Sequence, residues 1–297
     1  MKALLICPVD STAVPRLAES GPLATAPILG DCVVAHWVER LAELGARQIE
    51  VIAPDGADQV RKAVGDGARW GVRINVTVSR FEPTRQEAVD KYNPAGGPDW
   101  LPAPYDVVEM SHLPGCPGLP LFESYANWIA ALTAWMPLAL TPARVRVSQV
   151  RPGIWIGSRA QVSPNSELIA PCWIGDRASV ETGAVVGPGA IIEDRSVVGT
   201  TAHIAQSWVG PDTFVGRMTS VANSVAWGST LIDWRTGSVL HVPDPFLLSS
   251  LSESKIAATT DRFGRALGAK APTRKRTELA KAMGAPRGGA SDVNLPA

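Results

Sequence analysis

Apolar residues in the second half of the chain recur with a period of six. From Ile156, every sixth residue is aliphatic: Val162, Leu168, Ile174, Val180, Val186, Ile192, Val198 and Ile204 follow in one column. Four places after all but the last stands a small residue: Ala160, Ser166, Cys172, Ala178, Ala184, Ala190, Ser196 and Ala202. The phase slips by one residue and resumes at Val209, Val215, Val221 and Trp227. An α-helix turns about 100° per residue, so this period would smear the column around its surface. It suits one side of a three-sided solenoid, in which a short strand points a branched residue inward and a small residue lets the chain turn the corner. Coils stacked at roughly 4.8 Å then bury one continuous aliphatic core. Glycines 157, 175, 187, 199, 210 and 216 follow the aliphatic position, and Gly183 and Gly189 fall near corners that favour unusual dihedrals. Asp233, Trp234 and Arg235 break the pattern. The run from Val239 to Phe246 is predicted to cap the open end, otherwise a bare sheet edge.

The first half follows other periods. Met1 to Ile6 reads as a buried strand, Val33 to Leu44 as an amphipathic helix ended by Gly45, and Gln48 to Ala53 and Val72 to Val78 as further strands. This order makes a βαβ unit with a parallel sheet. Residues 83–120 carry Pro83, Pro94, Pro98, Pro102, Pro104, Pro114, Pro117 and Pro120, which predicts an irregular connection. Leu121, Tyr125, Trp128, Ile129, Leu132, Trp135 and Met136 recur at helical spacing and predict a helix that packs one domain against the other.

The six-residue column resembles the hexapeptide-repeat family, which implies a left-handed parallel β-helix. The run from Leu29 to Ile52 and the segment Gly65, Asp66, Gly67, Arg69, Trp70, Gly71, Val72 are similar to sugar-1-phosphate nucleotidyltransferases. Together these resemblances imply an α/β plus β-solenoid chain: a truncated Rossmann-like nucleotidyltransferase domain over 1–82, a Pro-rich connection with one helix over 83–149, the β-helix and cap over 150–250, and a basic, partly disordered tail over 251–297. The family's phosphate loop reads roughly GxGTR, its glycines admitting phosphate to backbone N–H groups and its cations neutralising the leaving pyrophosphate. Here the loop is Val9, Asp10, Ser11, Thr12 and Ala13, where only Thr12 agrees, and the family's lysine position falls near Leu23. An aspartate facing a phosphate repels it. No Gly-Asp pair lies between Gly67 and residue 150, leaving Asp106 or Glu109 to serve as the second metal carboxylate.

The resemblance therefore implies ligand-binding positions at Asp10, Ser11 and Thr12, and at Gly65, Asp66 and Gly67, on a framework whose catalysis is degenerate. The expected role is binding, regulation or scaffolding in nucleotide-sugar metabolism, with a nucleotide or sugar phosphate as ligand. The alternatives are an active NDP-sugar pyrophosphorylase, which alone brings in Mg²⁺ as cofactor, and a hexapeptide acyltransferase with His203 as general base.

Composition narrows the partners. The acids and bases balance at 28 each, which argues against a nucleic-acid binder. Cys7, Cys32, Cys116 and Cys172 lack ligand spacing and read as free thiols in a reducing compartment. The apolar run Ala3 to Ile6 is too short for a signal peptide or membrane span, so a cytoplasmic address is expected. His36, His112 and His241 are scattered and give no zinc triad. Arg159, Arg177 and Arg195 recur one coil apart, near Asp176, Glu193 and Asp194, as a ladder of charges. Of Trp155, Trp173, Trp208, Trp227 and Trp234, some suggest an oligomer or partner surface and others the filling of corners. Thr273 to Met283 reads as a short basic helix in the tail.

Overall fold

A computed structural model of the chain describes residues 1–92, 98–140 and 146–252. The basic helix predicted at Thr273 to Met283 lies outside them. Met1 to Glu253 make one compact unit.

The first half builds a four-stranded parallel sheet. Its elements are β1 (Lys2–Ile6), α1 (Pro15–Glu19), α2 (Val33–Glu43), β2 (Gln48–Ala53), α3 (Ala57–Val64), β3 (Arg73–Val78), α4 (Arg85–Tyr92) and β4 (Val107–Glu109). The strand order is β3-β2-β1-β4. Side chains alternate across β1: Ala3 and Leu5 face α2 and α3, while Leu4 and Ile6 face Ala88 of α4. The Pro-rich stretch is thus less irregular than predicted. It supplies α4 to the second face of the sheet and β4 to its edge.

The second half is a parallel β-solenoid of three sheets around one core. Ile156, Ile174, Ile192 and Val209 stack in register along the first sheet. The next residue in this column is Ala226, paired with Val209, and not Trp227. A second one-residue slip turns Trp227 outward, where it meets Trp208 edge-on at 5.5 Å. The corners are left-handed turns: Arg177, Arg195 and Asp212 repeat along one edge with φ of 56°, 61° and 52°. The predicted cap also differs. Val239, Leu240 and Phe246 are exposed, and Leu248 enters the core from a strand (Leu248–Ser250) paired antiparallel to 213–215.

Between the two halves lies α5 (Tyr125–Trp135), capped at its start by Ser124, whose hydroxyl accepts the Asn127 amide at 3.0 Å. The outward residues of the first solenoid sheet, Trp155, Trp173, Ile191, Trp208 and Val225, join the same buried cluster as α2 and α5. Trp128 of α5 meets Trp208 edge-on at 6.2 Å. The tryptophan stripe expected at an oligomer surface is instead largely covered by the chain's own α/β layer; Trp227 and Trp234 remain partly exposed. Spacing cannot distinguish these outcomes, because an outward aromatic looks alike whether a partner or the same chain covers it.

Candidate functional site

In a parallel α/β sheet, ligands sit in the crevice beyond the carboxyl ends of the strands. β1 delivers Val9 to Ala13 there, and three of the loop's backbone donors are already engaged. The Val9 amide donates to Glu82 Oε2 at 3.0 Å, the Asp10 amide to Asp55 Oδ2 at 3.1 Å, and the Ala13 amide to Ser11 Oγ at 3.2 Å. Ser11 Oγ in turn donates to the Phe122 carbonyl at 3.1 Å, and Thr12 is exposed. The segment 79–85 straps the same edge. Its Ser79 amide bonds Ala53 O at 3.1 Å beyond β2, Glu82 holds Val9 beyond β1, and the Arg85 amide bonds Glu109 Oε1 at 2.9 Å beside β4.

Beside this loop lies a pocket of about 310 Å³ lined by Asp10, Glu19, Asp55 and Gln59. Burial, reinforced by the charge of Asp55, raises the pKa of Asp10. Leu23, near the family's lysine position, is fully buried. A phosphate entering here would meet carboxylates and the occupied Val9 and Asp10 amides.

Gly65, Asp66 and Gly67 sit at the opposite, amino-terminal edge of the sheet, between α3 and β3. There they form a turn. Asp66 Oδ1 accepts the Ala68 amide at 2.9 Å, and a Cβ on Gly67 would stand 2.6 Å from Val72 O. Gly67 also has a φ of +86°. The two groups of predicted ligand residues are therefore not brought together. Asp106 is paired with Arg85, and Glu109 holds the Arg85 amide. His36 Nε2 bonds Ile28 O at 2.8 Å, and His241 Nδ1 lies 3.3 Å from Ser229 Oγ. Among the described residues no three His, Cys, Asp or Glu side chains converge as a metal site, and no helix is long and apolar enough to cross a membrane.

On the solenoid, His203 projects from the third sheet, exposed, between Val185 and Ser220 of the neighbouring coils. The arginine ladder is real but uneven. Arg159 forks onto Asp176, and Arg195 onto Asp212 at 2.9 and 2.6 Å. Its hydrogen bonds to Arg159 hold the Asp176 carboxyl below its ordinary pKa. The middle rung departs: Asp194 accepts the Asp176 amide at 2.8 Å and lies under Gly30. Next to it, buried Glu193 accepts the Leu29 amide at 2.7 Å, the Gly30 amide at 2.9 Å and the Trp208 indole N–H at 3.0 Å. Sequence reasoning placed Glu193 only in the charge ladder and gave no role to Asp55 or Glu82. Their partners lie 164, 45 and 73 residues away, so no local pattern marks them.

No protein-family model matches the chain, and no curated protein matches it. Among solved structures, the acetyltransferase domain of PglB from Neisseria gonorrhoeae FA1090 is 15% identical, covering 61% of this chain and 88% of that one, with a TM-score of 0.18. A mutant perosamine N-acetyltransferase from Caulobacter crescentus, in complex with CoA and GDP-perosamine, is 17% identical over 60% of this chain and 92% of that one, with a TM-score of 0.12. Both are named as acetyltransferases, the class of the acyl-transfer alternative, and neither as a nucleotidyltransferase. At such TM-scores the likeness says nothing of activity.

Proposed function

We propose that the chain is a non-catalytic relative of the sugar nucleotidyltransferases, a binding or scaffolding protein whose α/β layer braces the solenoid. One observation carries this reading: carboxylates of the chain itself, Glu82 and Asp55, hold the Val9 and Asp10 amides where that family would hold phosphate. Nucleotidyl transfer needs donors preorganised toward developing negative charge, and donors already bonded to carboxylates cannot serve. The truncated Rossmann-like layer then acts through its surfaces, in nucleotide-sugar metabolism by the family resemblance. The test is Mg²⁺-dependent pyrophosphate release from each of the four NTPs with sugar 1-phosphates. No turnover is expected, and sustained turnover with any pair overturns the reading.

A second reading rests on His203. An exposed imidazole on a solenoid face can act as general base for acyl transfer where a second copy completes the site. It predicts acetyl-CoA turnover with an amino sugar that is lost in His203→Ala; turnover equal in both proteins removes His203 from the reaction.

A further inference from the structure

Away from the carboxylate-lined crevice lies a second depression. A cleft of about 210 Å³ lies beside β4, the edge strand of the sheet, against α2 and the loop that follows β4. Its walls are apolar and aromatic, formed by Trp37, Tyr105, Val108 and Pro117. Arg85, Glu109, Ser111 and His112 also line it.

The state of these polar groups narrows the ligand. Arg85 carries no spare charge, because its guanidinium donates to Pro104 O at 3.2 Å, to Val107 O and to the Asp106 carboxylate. Glu109 spends one oxygen on the Arg85 amide and keeps the other as an acceptor. The His112 carbonyl takes the Trp37 indole N–H at 2.9 Å, and the two rings meet edge-on at 5.3 Å, which fixes the imidazole against the wall. His112 Nδ1 lies 3.4 Å from Ser111 Oγ, leaving Nε2 for a ligand. Burial lowers the His112 pKa, opposed by the charge of Glu109, so the ring is neutral near pH 7. An anion gains nothing here and meets the spare carboxylate oxygen of Glu109. An aliphatic ligand would leave that acceptor, the Tyr105 hydroxyl and the imidazole unpaired. Pockets that hold small molecules combine an apolar lining with a few such convergent polar groups. At roughly 30 Å³ per water, the volume is room for one ring system and little more.

We propose that this cleft binds a small, flat, uncharged heteroaromatic ring bearing adjacent N–H and C=O groups, of the free nucleobase or nicotinamide type. The ring lies against the aromatic wall, its N–H donates to Glu109, and its carbonyl accepts from the Tyr105 hydroxyl or the imidazole. This goes beyond the scaffolding reading and lies outside the closed crevice, so either can fail alone.

The experiment titrates the full chain with hypoxanthine, cytosine, uracil and nicotinamide at millimolar concentration, observing the imidazole resonances of its four histidines. At least one ring is expected to move the His112 resonances saturably and leave those of His203 in place. Glu109→Gln, which preserves the oxygen that holds the Arg85 amide, and Tyr105→Ala should each weaken that binding tenfold or more. Asp55→Ala, in the closed crevice, should leave it unchanged. The proposal is overturned if none of the four rings moves the His112 resonances, or if either cleft substitution leaves the affinity as it was.

Discussion

Glu193 and Gly30 stand 163 residues apart in sequence and 2.9 Å apart in the fold, a solenoid carboxylate closed on a backbone amide of the α/β layer. With the Leu29 amide and the Trp208 indole, the bond makes one buried carboxylate the acceptor for three donors from both halves. Glu193→Ala leaves all three buried without a partner, at about 1–3 kcal/mol for each donor that finds no water. The expected loss is at least about 3 kcal/mol in urea unfolding. Glu193→Gln retains one acceptor oxygen and should lose about half as much. A loss under about 1 kcal/mol for the alanine variant would mean that water replaces the carboxylate and the latch contributes little.

The same carboxyl makes stability depend on pH. Burial pushes Glu193 from its ordinary 4.5 up to about 7; the Asp194 charge adds to the shift, and its three donors oppose it. A carboxyl that holds its proton more tightly folded than unfolded contributes stability that is complete below pH 4.5 and lost as pH rises through about 7. The swing is about 3 kcal/mol, at 1.36 kcal/mol per pH unit of displacement. Asp194, also raised by burial, acts in the same direction. Unfolding measured at pH 5, 6, 7 and 8 should show stability falling with pH, and Glu193→Gln should flatten most of the slope. Equal slopes in the two proteins would assign the titration to another group.

Two tryptophans of the same stripe should respond differently. Trp173 and Trp208 are both fully buried, but the Trp173 indole N–H has no partner while that of Trp208 donates to Glu193. Trp→Phe removes similar volume at each site. Only at position 208 does it take a hydrogen bond from a carboxylate, at about 1.5–3 kcal/mol when the acceptor is charged. Trp208→Phe should therefore cost about 2 kcal/mol more than Trp173→Phe in parallel denaturation. Equal costs would show that packing alone decides both positions.

What the sequence disclosed and what it concealed divide along the range of the interactions. The inward column from Ile156 to Ile204, the helix ended by Gly45 and the strand Gln48 to Ala53 follow from short periods, and the structure places them as read. The short helix Ala57–Val64 and the three-residue strand Val107–Glu109 were missed, since one is short and half polar and the other lies among prolines. The emptied phosphate loop was visible as missing glycines. That carboxylates occupy its amides was not, because Asp55 and Glu82 come from separate segments brought over β1 by the fold.

Those carboxylates make the closure reversible by mutation. Asp55→Ala with Glu82→Ala frees the Val9 and Asp10 amides and removes two negative charges from the edge. Backbone donors beside a strand end are where phosphate binds in this architecture. The double variant should gain a melting-point rise with ATP or inorganic pyrophosphate that the parent lacks; a tenfold excess over the dissociation constant adds about 1.4 kcal/mol. A parent that responds as strongly as the variant would show the crevice already open.

Two glycines test the solenoid's closure by different physics. Gly216 follows the inward Val215 in the last complete coil, and its amide bonds Leu247 O at 2.9 Å. A Cβ there would stand 1.8 Å from Phe246 O, which is backbone and cannot yield without shifting the segment. That segment carries Leu248, 3% exposed, into the core. Gly216→Ala should therefore cost about 2–3 kcal/mol, the value of a buried leucine, and open the chain near Phe246 to limited proteolysis. Gly45 has open space around it but a φ of +97°. Gly45→Ala should cost only the dihedral strain, about 1 kcal/mol, with no new cleavage. If the two variants unfold at the same urea concentration and neither is cut near Phe246, the strand Leu248–Ser250 does not close the solenoid.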